Sequence, residues 1–333
     1  MPKISIIMVN WNGKFYLKPC LDSIAEQTFK DFELIFIDNN STDDSVDFVK
    51  KNYSFARVVK LKTNKGLLGG NHEGLKYTKG NYIFFLNNDT VLDKNCLMEI
   101  FKAVQTKEIS RKYTFFAPKI IFINKTLLNS VGIMPYNDGT AKDIGIFEDA
   151  NNYTEQFEIF GPMGSASIYS RKVLEKIRSH GKYFDENYFG YYDDTDLDFR
   201  LRWIGEKALY LPKAIVYHHG NASFKKTGKT ALYHSNKNKI LNFVRNYPTS
   251  ILIKNLPVFI IRQIISIVYY LVQFNFSPIA GKIKAIRLLP QYIRLRNENL
   301  RKNIKNVKNV ERFIVYKDTI KSIIGKVKPL SQD

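Results

Sequence analysis

Cysteine is almost missing from this chain. Its 333 residues hold two, Cys20 and Cys96, too few for a disulfide scaffold or a Cys-rich zinc centre, and the usage fits a reducing compartment. A secretory signal is not legible either. The apolar run Ile4–Val9 is short and is followed at once by Asn10, Asn12 and Lys14, where a leader would continue apolar. No G-x-G-x-x-G turn follows the first predicted strand, and no G-x-x-x-x-G-K-[ST] occurs anywhere. A nucleotide-dependent dehydrogenase and a P-loop ATPase are both disfavoured. Negative charge is the scarce sign, with 31 Asp+Glu against 51 Lys+Arg and a net charge of +20. That excess points to an anionic partner: nucleic acid, phospholipid headgroups or a phosphorylated substrate. No nucleic-acid recognition module is recognisable, so nucleic acid is not expected among the partners.

What is present describes a globular chain. Hydrophobic residues make up 44% and charged residues 25%, which excludes global disorder and supplies a core. The length suits one large α/β domain plus an appendage, or two modest domains.

The basic excess is uneven. From Lys282 to Lys328 there are 14 Lys+Arg against 3 Asp+Glu, more than half of the net charge. Just before it lies the most apolar stretch, Val258–Ile261 and Ile264–Val272, interrupted by Arg262 at one end and by Asn275 and Pro278 at the other. A spanning helix needs about 20 mostly apolar residues, so an interfacial or re-entrant helix is expected. An apolar helix beside a Lys/Arg field, with Tyr269, Tyr270 and Tyr292 nearby, reads as attachment to an anionic membrane surface. A helical subdomain packed on the main domain has the same periodicity. The expected division is 1–235 for the main domain and 236–333 for this basic and apolar helical region.

The opening half alternates short apolar runs with helical spacing, the pattern of βαβ units and a mostly parallel sheet. Strands are expected at Ile4–Val9, Phe32–Ile37, Ala56–Leu61 and Tyr82–Leu86, with helices over Phe15–Ala25, from Ser45, and over Leu68–Tyr77. Ligands on such sheets bind beyond the carboxyl ends of the strands. Polar clusters stand at those ends: Asn10 to Gly13, Asp38 to Asp43, Asn64 to Gly66, and Asn87 to Asp89. Any one of them could be a plain strand-to-helix turn, with Ser41 or Thr42 as an N-cap. Four on one sheet edge are harder to read that way.

Together these segments resemble inverting glycosyltransferases of family 2, which have a GT-A fold, and most closely the rhamnosyltransferase-like branch. The likeness is carried by Ile6-Ile-Met-Val-Asn-Trp-Asn12, Phe36-Ile-Asp-Asn-Asn-Ser-Thr-Asp43, Asn64-Lys-Gly-Leu-Leu-Gly-Gly-Asn71, Phe85-Leu-Asn-Asn-Asp-Thr90, Phe184-Asp-Glu186, Tyr192-Asp-Asp-Thr-Asp-Leu197 and His218-His-Gly-Asn-Ala-Ser223. They run in the family's order over about two thirds of the chain.

The resemblance implies a nucleotide-diphosphate sugar donor, with dTDP or UDP as nucleotide, and a saccharide or lipid-linked saccharide acceptor. It places Val9, Asn10, Asn12, Asp38, Asn39, Asn64, Gly66, Asn71, Asn88 and Gly164 around the donor. It also implies Mg2+ or Mn2+ at the diphosphate, because hard divalent cations take carboxylate and imidazole ligands beside phosphate oxygens. The family's D-x-D motif stands here as Asn87-Asn88-Asp89, so Asp89 alone keeps its carboxylate and a second ligand matters more. His218 matches the family's histidine, with His219 as the alternative. The acceptor hydroxyl needs a base, and the resemblance assigns that role to Asp194. Asp193 and Tyr192 would support it or contact the acceptor, as would Trp203 and one or two of the other aromatics between Tyr183 and Tyr192. Asp196 and Asp198 read as an ordinary acidic helix start.

Arg202-Trp203 matches part of the Q-x-x-R-W motif of processive synthases, but Phe199 stands where Gln should be. A single-addition enzyme is expected over a processive synthase. The rival outside enzymes is a membrane-surface module with a degenerate transferase domain. The expected place of action is the cytoplasmic face of the cell membrane, and the acceptor a precursor of a surface polysaccharide.

Overall fold

The computed structural model describes residues 3–179, 181–220 and 222–316, with 222–227 through their backbone alone. Asn221 and the Ala222 and Ser223 side chains of the histidine motif, and the basic residues after 316, lie outside what is described.

The four expected strands form where β-branched and aromatic runs predict them. They are β1 (Ile4–Asn10), β2 (Phe32–Asp38), β3 (Ala56–Lys60) and β4 (Tyr82–Leu86), alternating with α1 (Lys14–Ala25), α2 (Ser45–Asn52) and α3 (Gly66–Leu75). β1 pairs in parallel with β2 and β4, and β2 in parallel with β3. All four polar clusters therefore share one sheet edge. The near-continuous burial of β1, β2 and β4 is what a parallel sheet covered on both faces requires.

The next elements are β5 (Thr90–Leu92), α4 (Cys96–Gln105), α5 (Lys107–Lys112), β6 (Phe115–Phe122) and β7 (Leu128–Ser130). A two-stranded hairpin follows, β8 (Ile133–Pro135) and β9 (Ala141–Asp143). Then come β10 (Glu158–Ile159), β11 (Ala166–Ser170), α6 (Arg171–Ile177), α7 (Asp193–Trp203) and β12 (Ala208–His218). The main sheet runs β10-β12-β6-β11-β4-β1-β2-β3, with β5 added on β12 and β7 on β6. β11 is antiparallel to both β4 and β6, so the sheet is mixed but mostly parallel, as expected. Two apolar layers flank it, one built on Ile7, Ile35 and Phe85, the other on Ile6, Phe36 and Phe84. That is the period-2 alternation of strands covered on both sides.

The C-terminal part is helical: α8 (Ala222–Asn246), α9 (Thr249–Val272), α10 (Phe276–Asn303) and α11 (Val307–Glu311). α8 and α10 run side by side in the same direction. Ser277 reaches the Lys229 carbonyl and Arg296 reaches Val244 and Tyr247. Gly281 lets the two approach, since a Cβ there would stand 2.3 Å from the Tyr233 carbonyl oxygen. The boundary expected at 235/236 falls inside α8. Leu241, Phe243 and Tyr247 share one core with Phe199 and Trp203, so packing runs unbroken across it.

α9 differs from the expectation of an interrupted segment. It is one 24-residue helix, long and apolar enough by length and composition to cross a membrane. Arg262 does not break it, because its guanidinium turns inward to pair with Asp138.

Candidate active site

Register brings the first pair of site residues together. β5 is antiparallel to β12, with Thr90 opposite His218, and Asp89 immediately precedes β5. The His218 Nε2 lies 3.4 Å from Asp89 Oδ1, and both side chains are buried. Asn129 of β7 sits 2.6 Å from His218 Nδ1 through its amide oxygen. An amide oxygen only accepts, so Nδ1 carries a proton, and a neutral ring then turns its Nε2 lone pair to Asp89. Asp89 Oδ1 is itself buried without a hydrogen-bond partner. A buried carboxylate so placed is satisfied by positive charge beside it, a proton on Nε2 or a metal ion.

This is the donor set a divalent metal takes, with the second imidazole nitrogen fixed by a carbonyl as metal-binding histidines usually are. Mg2+ or Mn2+ therefore fits Asp89 and His218. Among the described residues no group of three His, Cys, Asp or Glu gathers as a metal cluster. His219 points elsewhere. Its backbone N–H bonds the Asp89 carbonyl and its ring packs 5.0 Å from Tyr16.

The second pair stands at the start of α7. Tyr191 and Tyr192 both have positive φ, 68° and 61°, a strained conformation for bulky residues. The reversal they make aims Asp193 and Asp194 out of the helix N-terminus. Asp194 Oδ2 accepts the Gly164 N–H at 3.0 Å, and Oδ1 accepts the Thr195 N–H at 2.6 Å. Burial pushes its carboxyl above the ordinary carboxylate range against those donors. Asp193 is raised too, by burial first and then by the charge of Asp194. A carboxylate held in place and made more basic is equipped to take a proton.

The sequence reading missed Asp143. It sits on β9 opposite Ile133, which bridges in turn to Gly161, next to the segment that holds Asp194. Its carboxyl is pushed up to about 7, chiefly by burial and further by Asp194, while the Ser130 hydroxyl and His218 act the other way. Asp143 thus feels both Asp194 and His218 and links the two pairs electrostatically. Nothing in Lys142-Asp143-Ile144 resembles a motif; only the hairpin brings it here.

Several predicted donor residues turn out to brace the sheet edge. The Asn10 side chain donates to Ser41 and Ser45 and accepts from Asn88 at 2.6 Å. Asn12 accepts from the Thr42 and Asp43 N–H groups. Asn39 accepts the Lys65 N–H and donates to Asn64 and to the Gly66 carbonyl. These amides fix the loops rather than stand free for a ligand. Asp38 is fully buried at the end of β2 and accepts from the Ser41 N–H at 3.3 Å. Val9 packs against Gly70 of α3, and Asn71 lies on the buried face of that helix. Gly66, at φ +71°, admits the Phe189 carbonyl, which a Cβ would meet at 2.5 Å. Gly164 supports Asp194 through its N–H.

Three expectations need correction. Trp203 does not line a cleft: it is 1% exposed and its indole N–H bonds the Asn246 carbonyl at 2.7 Å. Packing of α7 against α8 takes it inside. Asp196 and Asp198 are not a solvated helix start. Asp196 is buried and paired with Arg200 and Arg245. Asp198 is fully buried, and burial raises its carboxyl far above its usual range. Arg202, half of the processive-like dipeptide, is fully buried and bonds the Phe160 carbonyl and Glu158, so its role is structural.

Comparison with known proteins bears on this geometry. A family model described as glycosyl transferase family 2 matches residues 5–178. The glycosyltransferase GlyA of Streptococcus pneumoniae is 26% identical over 220 residues, which cover 64% of this chain and 30% of that protein. The poly(ribitol-phosphate) beta-N-acetylglucosaminyltransferase TarP of Staphylococcus aureus is 35% identical over 106 residues, 30% of this chain and 32% of TarP. WfaP of Escherichia coli, a UDP-Glc:alpha-D-GlcNAc-diphosphoundecaprenol beta-1,3-glucosyltransferase, is 37% identical over 91 residues, 27% of this chain and 36% of WfaP. The chain thus spans about a third of the length of these curated relatives. Among solved structures, the TarS fragment 1–349 of S. aureus shares the fold with a TM-score of 0.54 at 16% identity, covering 95% of this chain and 93% of that one.

Proposed function

With more than half of its length matched, the chain belongs to glycosyl transferase family 2, and we propose that it is a metal-dependent, inverting hexosyltransferase. It moves a sugar from a nucleotide-diphosphate donor to a hydroxyl of a saccharide acceptor. The donor nucleotide is dTDP or UDP, and rhamnose is the sugar suggested by the rhamnosyltransferase-like motifs. A UDP-sugar has support in WfaP, which is a UDP-Glc-using glucosyltransferase. The acceptor is lipid-linked, a precursor of a surface glycan, met at the cytoplasmic face of the membrane. Residues 1–235 carry the catalysis and 236–333 the membrane attachment.

The observation that carries this reading is the Asp194 carboxylate, fixed by two backbone N–H groups and in electrostatic range of Asp143, which also senses His218. Asp194 accepts the proton of the acceptor hydroxyl. The freed oxygen attacks the anomeric carbon from the face opposite the diphosphate, and the bond from that carbon to the diphosphate oxygen breaks with its electron pair going to the leaving group. Configuration inverts because a single displacement occurs. Asp89 and His218 would hold a divalent cation, which supplies charge neutralisation for the departing diphosphate. Asp193, next to it in the chain, orients Asp194 or contacts the acceptor. Asp143, the third carboxyl in range, is suited to hold sugar hydroxyls.

The test is transfer by the full chain from dTDP-rhamnose and a panel of UDP-sugars, with Mn2+ and with chelator, and the anomeric configuration read by NMR. Metal-dependent transfer with inversion supports the reading. Donor binding that ignores metal, or a product of retained configuration, overturns it.

A further inference from the structure

The first half of α9 has two opposite faces. Ile251, Asn255 and Phe259 recur at i, i+4 and are buried, and beyond Phe259 no residue of the helix is buried. Phe259 stacks on Phe243 with ring centres 4.2 Å apart. Asn255 accepts from Asn137 at 2.7 Å, and Arg262 pairs with Asp138. Gln263 accepts from Lys282 of α10. At 3.6 residues per turn the other side carries Ile253, Ile260, Ile264, Val268, Leu271 and Val272, all exposed, with Ile264 at 56% and Val272 at 74%. α10 has an exposed face of its own that is apolar and basic. Ile283, Ile286 and Ile293 are exposed beside the exposed cations Lys284, Arg287 and Arg294.

From this geometry we infer that α9 and α10 lie side-on in one leaflet of an anionic lipid membrane and that α9 does not cross it. The inference rests on the membrane reading above and deepens it. α9 passes a length-and-composition test for crossing, but a crossing helix meets lipid on every side. One side of α9 is committed to Asn137, Asp138 and Lys282, and hydrocarbon would strand those polar groups at several kcal/mol each in general terms. An apolar arc bordered by cations is the pattern of a helix lying in the headgroup plane. A second copy of this chain is a poor occupant, because a molecule of net charge +20 would bring like charges face to face. Anionic headgroups answer both the isoleucines and the cations. α9 also grips the tip of the β8–β9 hairpin, where a Cβ on Gly139 would meet the Phe259 ring at 3.0 Å. The same hairpin carries Asp143, so docking would set the site beside the lipid surface.

The experiment uses the full chain and vesicles of phosphatidylcholine with or without phosphatidylglycerol. Flotation with the anionic vesicles is expected, and the paired Arg287→Glu and Arg294→Glu substitutions should weaken it roughly tenfold or more. Ile260→Asn with Ile264→Asn should weaken it comparably while leaving the thermal melt in place, since both side chains are already exposed. For topology, Gln273→Cys marks the turn after α9, and the two native thiols are buried. In inverted membrane vesicles from bacterial cells making this variant, an impermeant maleimide should label the introduced thiol, and in intact cells it should not. No binding to any vesicle would bring down the membrane reading itself. Binding with the thiol labelled in intact cells would overturn this inference alone, because α9 would then cross. Equal flotation with neutral vesicles would overturn the headgroup match. A lipid-free dimer abolished by the isoleucine changes would give the surface to a second copy.

Discussion

The imidazole of His218 turns Nε2 to Asp89 Oδ1 at 3.4 Å, while Asn129 accepts the proton of the far nitrogen at 2.6 Å. Removing that amide frees the ring to turn and to change tautomer. Asn129→Ala should weaken Mn2+ binding by roughly 10- to 100-fold with the fold intact. Titrating Mn2+ against the thermal melt, with circular dichroism as the fold control, checks this; unchanged affinity would take Asn129 out of the site.

Asp194→Asn keeps the shape and the hydrogen-bond reach but removes the proton acceptor. Transfer should fall by roughly 100- to 10,000-fold, while donor affinity measured by calorimetry stays within a factor of a few. Normal turnover would remove Asp194 from the mechanism.

Activity should also carry the mark of a raised carboxyl. Asp194 must be ionised to act, and burial holds its pKa above the ordinary carboxylate range. The acid limb of kcat/KM should therefore lie above the ~4 of a free carboxyl. A limb at the free-carboxyl value would mean that Asp194 is not the group that must ionise.

Stability should depend on pH through Asp198. Its carboxyl is raised in the folded protein, so the native state keeps a proton that the unfolded chain releases above about pH 4. That contribution is full below the unfolded value and is lost as pH rises through the folded one. Asp198→Asn has no such proton to lose. The Tm of the variant relative to the parent should rise steadily from pH 5 to pH 8, as followed by calorimetry. A pH-independent difference would mean that Asp198 is ionised in the fold.

The sheet edge at the ends of β1 to β4 was legible in the sequence because these strands write themselves in β-branched runs and their ends carry local Asn/Asp clusters. Asp89, Asp194 and His218 could be named from motif order, but not their surroundings: the β5–β12 register sets Asp89 beside His218, and the left-handed turn at Tyr191 and Tyr192 leads into Asp194. Asp143 was invisible, since only a hairpin of non-local pairing delivers it. Trp203, Asp196 and Asp198 misled for a related reason. A helix start rich in acids looks solvated until α8, more than twenty residues downstream, folds over it and supplies Arg245 and Asn246.

The irregularity in β12 acts as a shock absorber. Pairing with β6 advances from Pro118 to Lys119 while β12 advances from Leu211 to Ile215, so slack in that strand is collected there. Length changes among Pro212, Lys213 and Ala214 can be swallowed locally. Between Ile215 and His218 no slack is left, and an inserted or deleted residue reverses the parity of the strand, turning the imidazole away and presenting a neighbouring side chain to Asp89 instead.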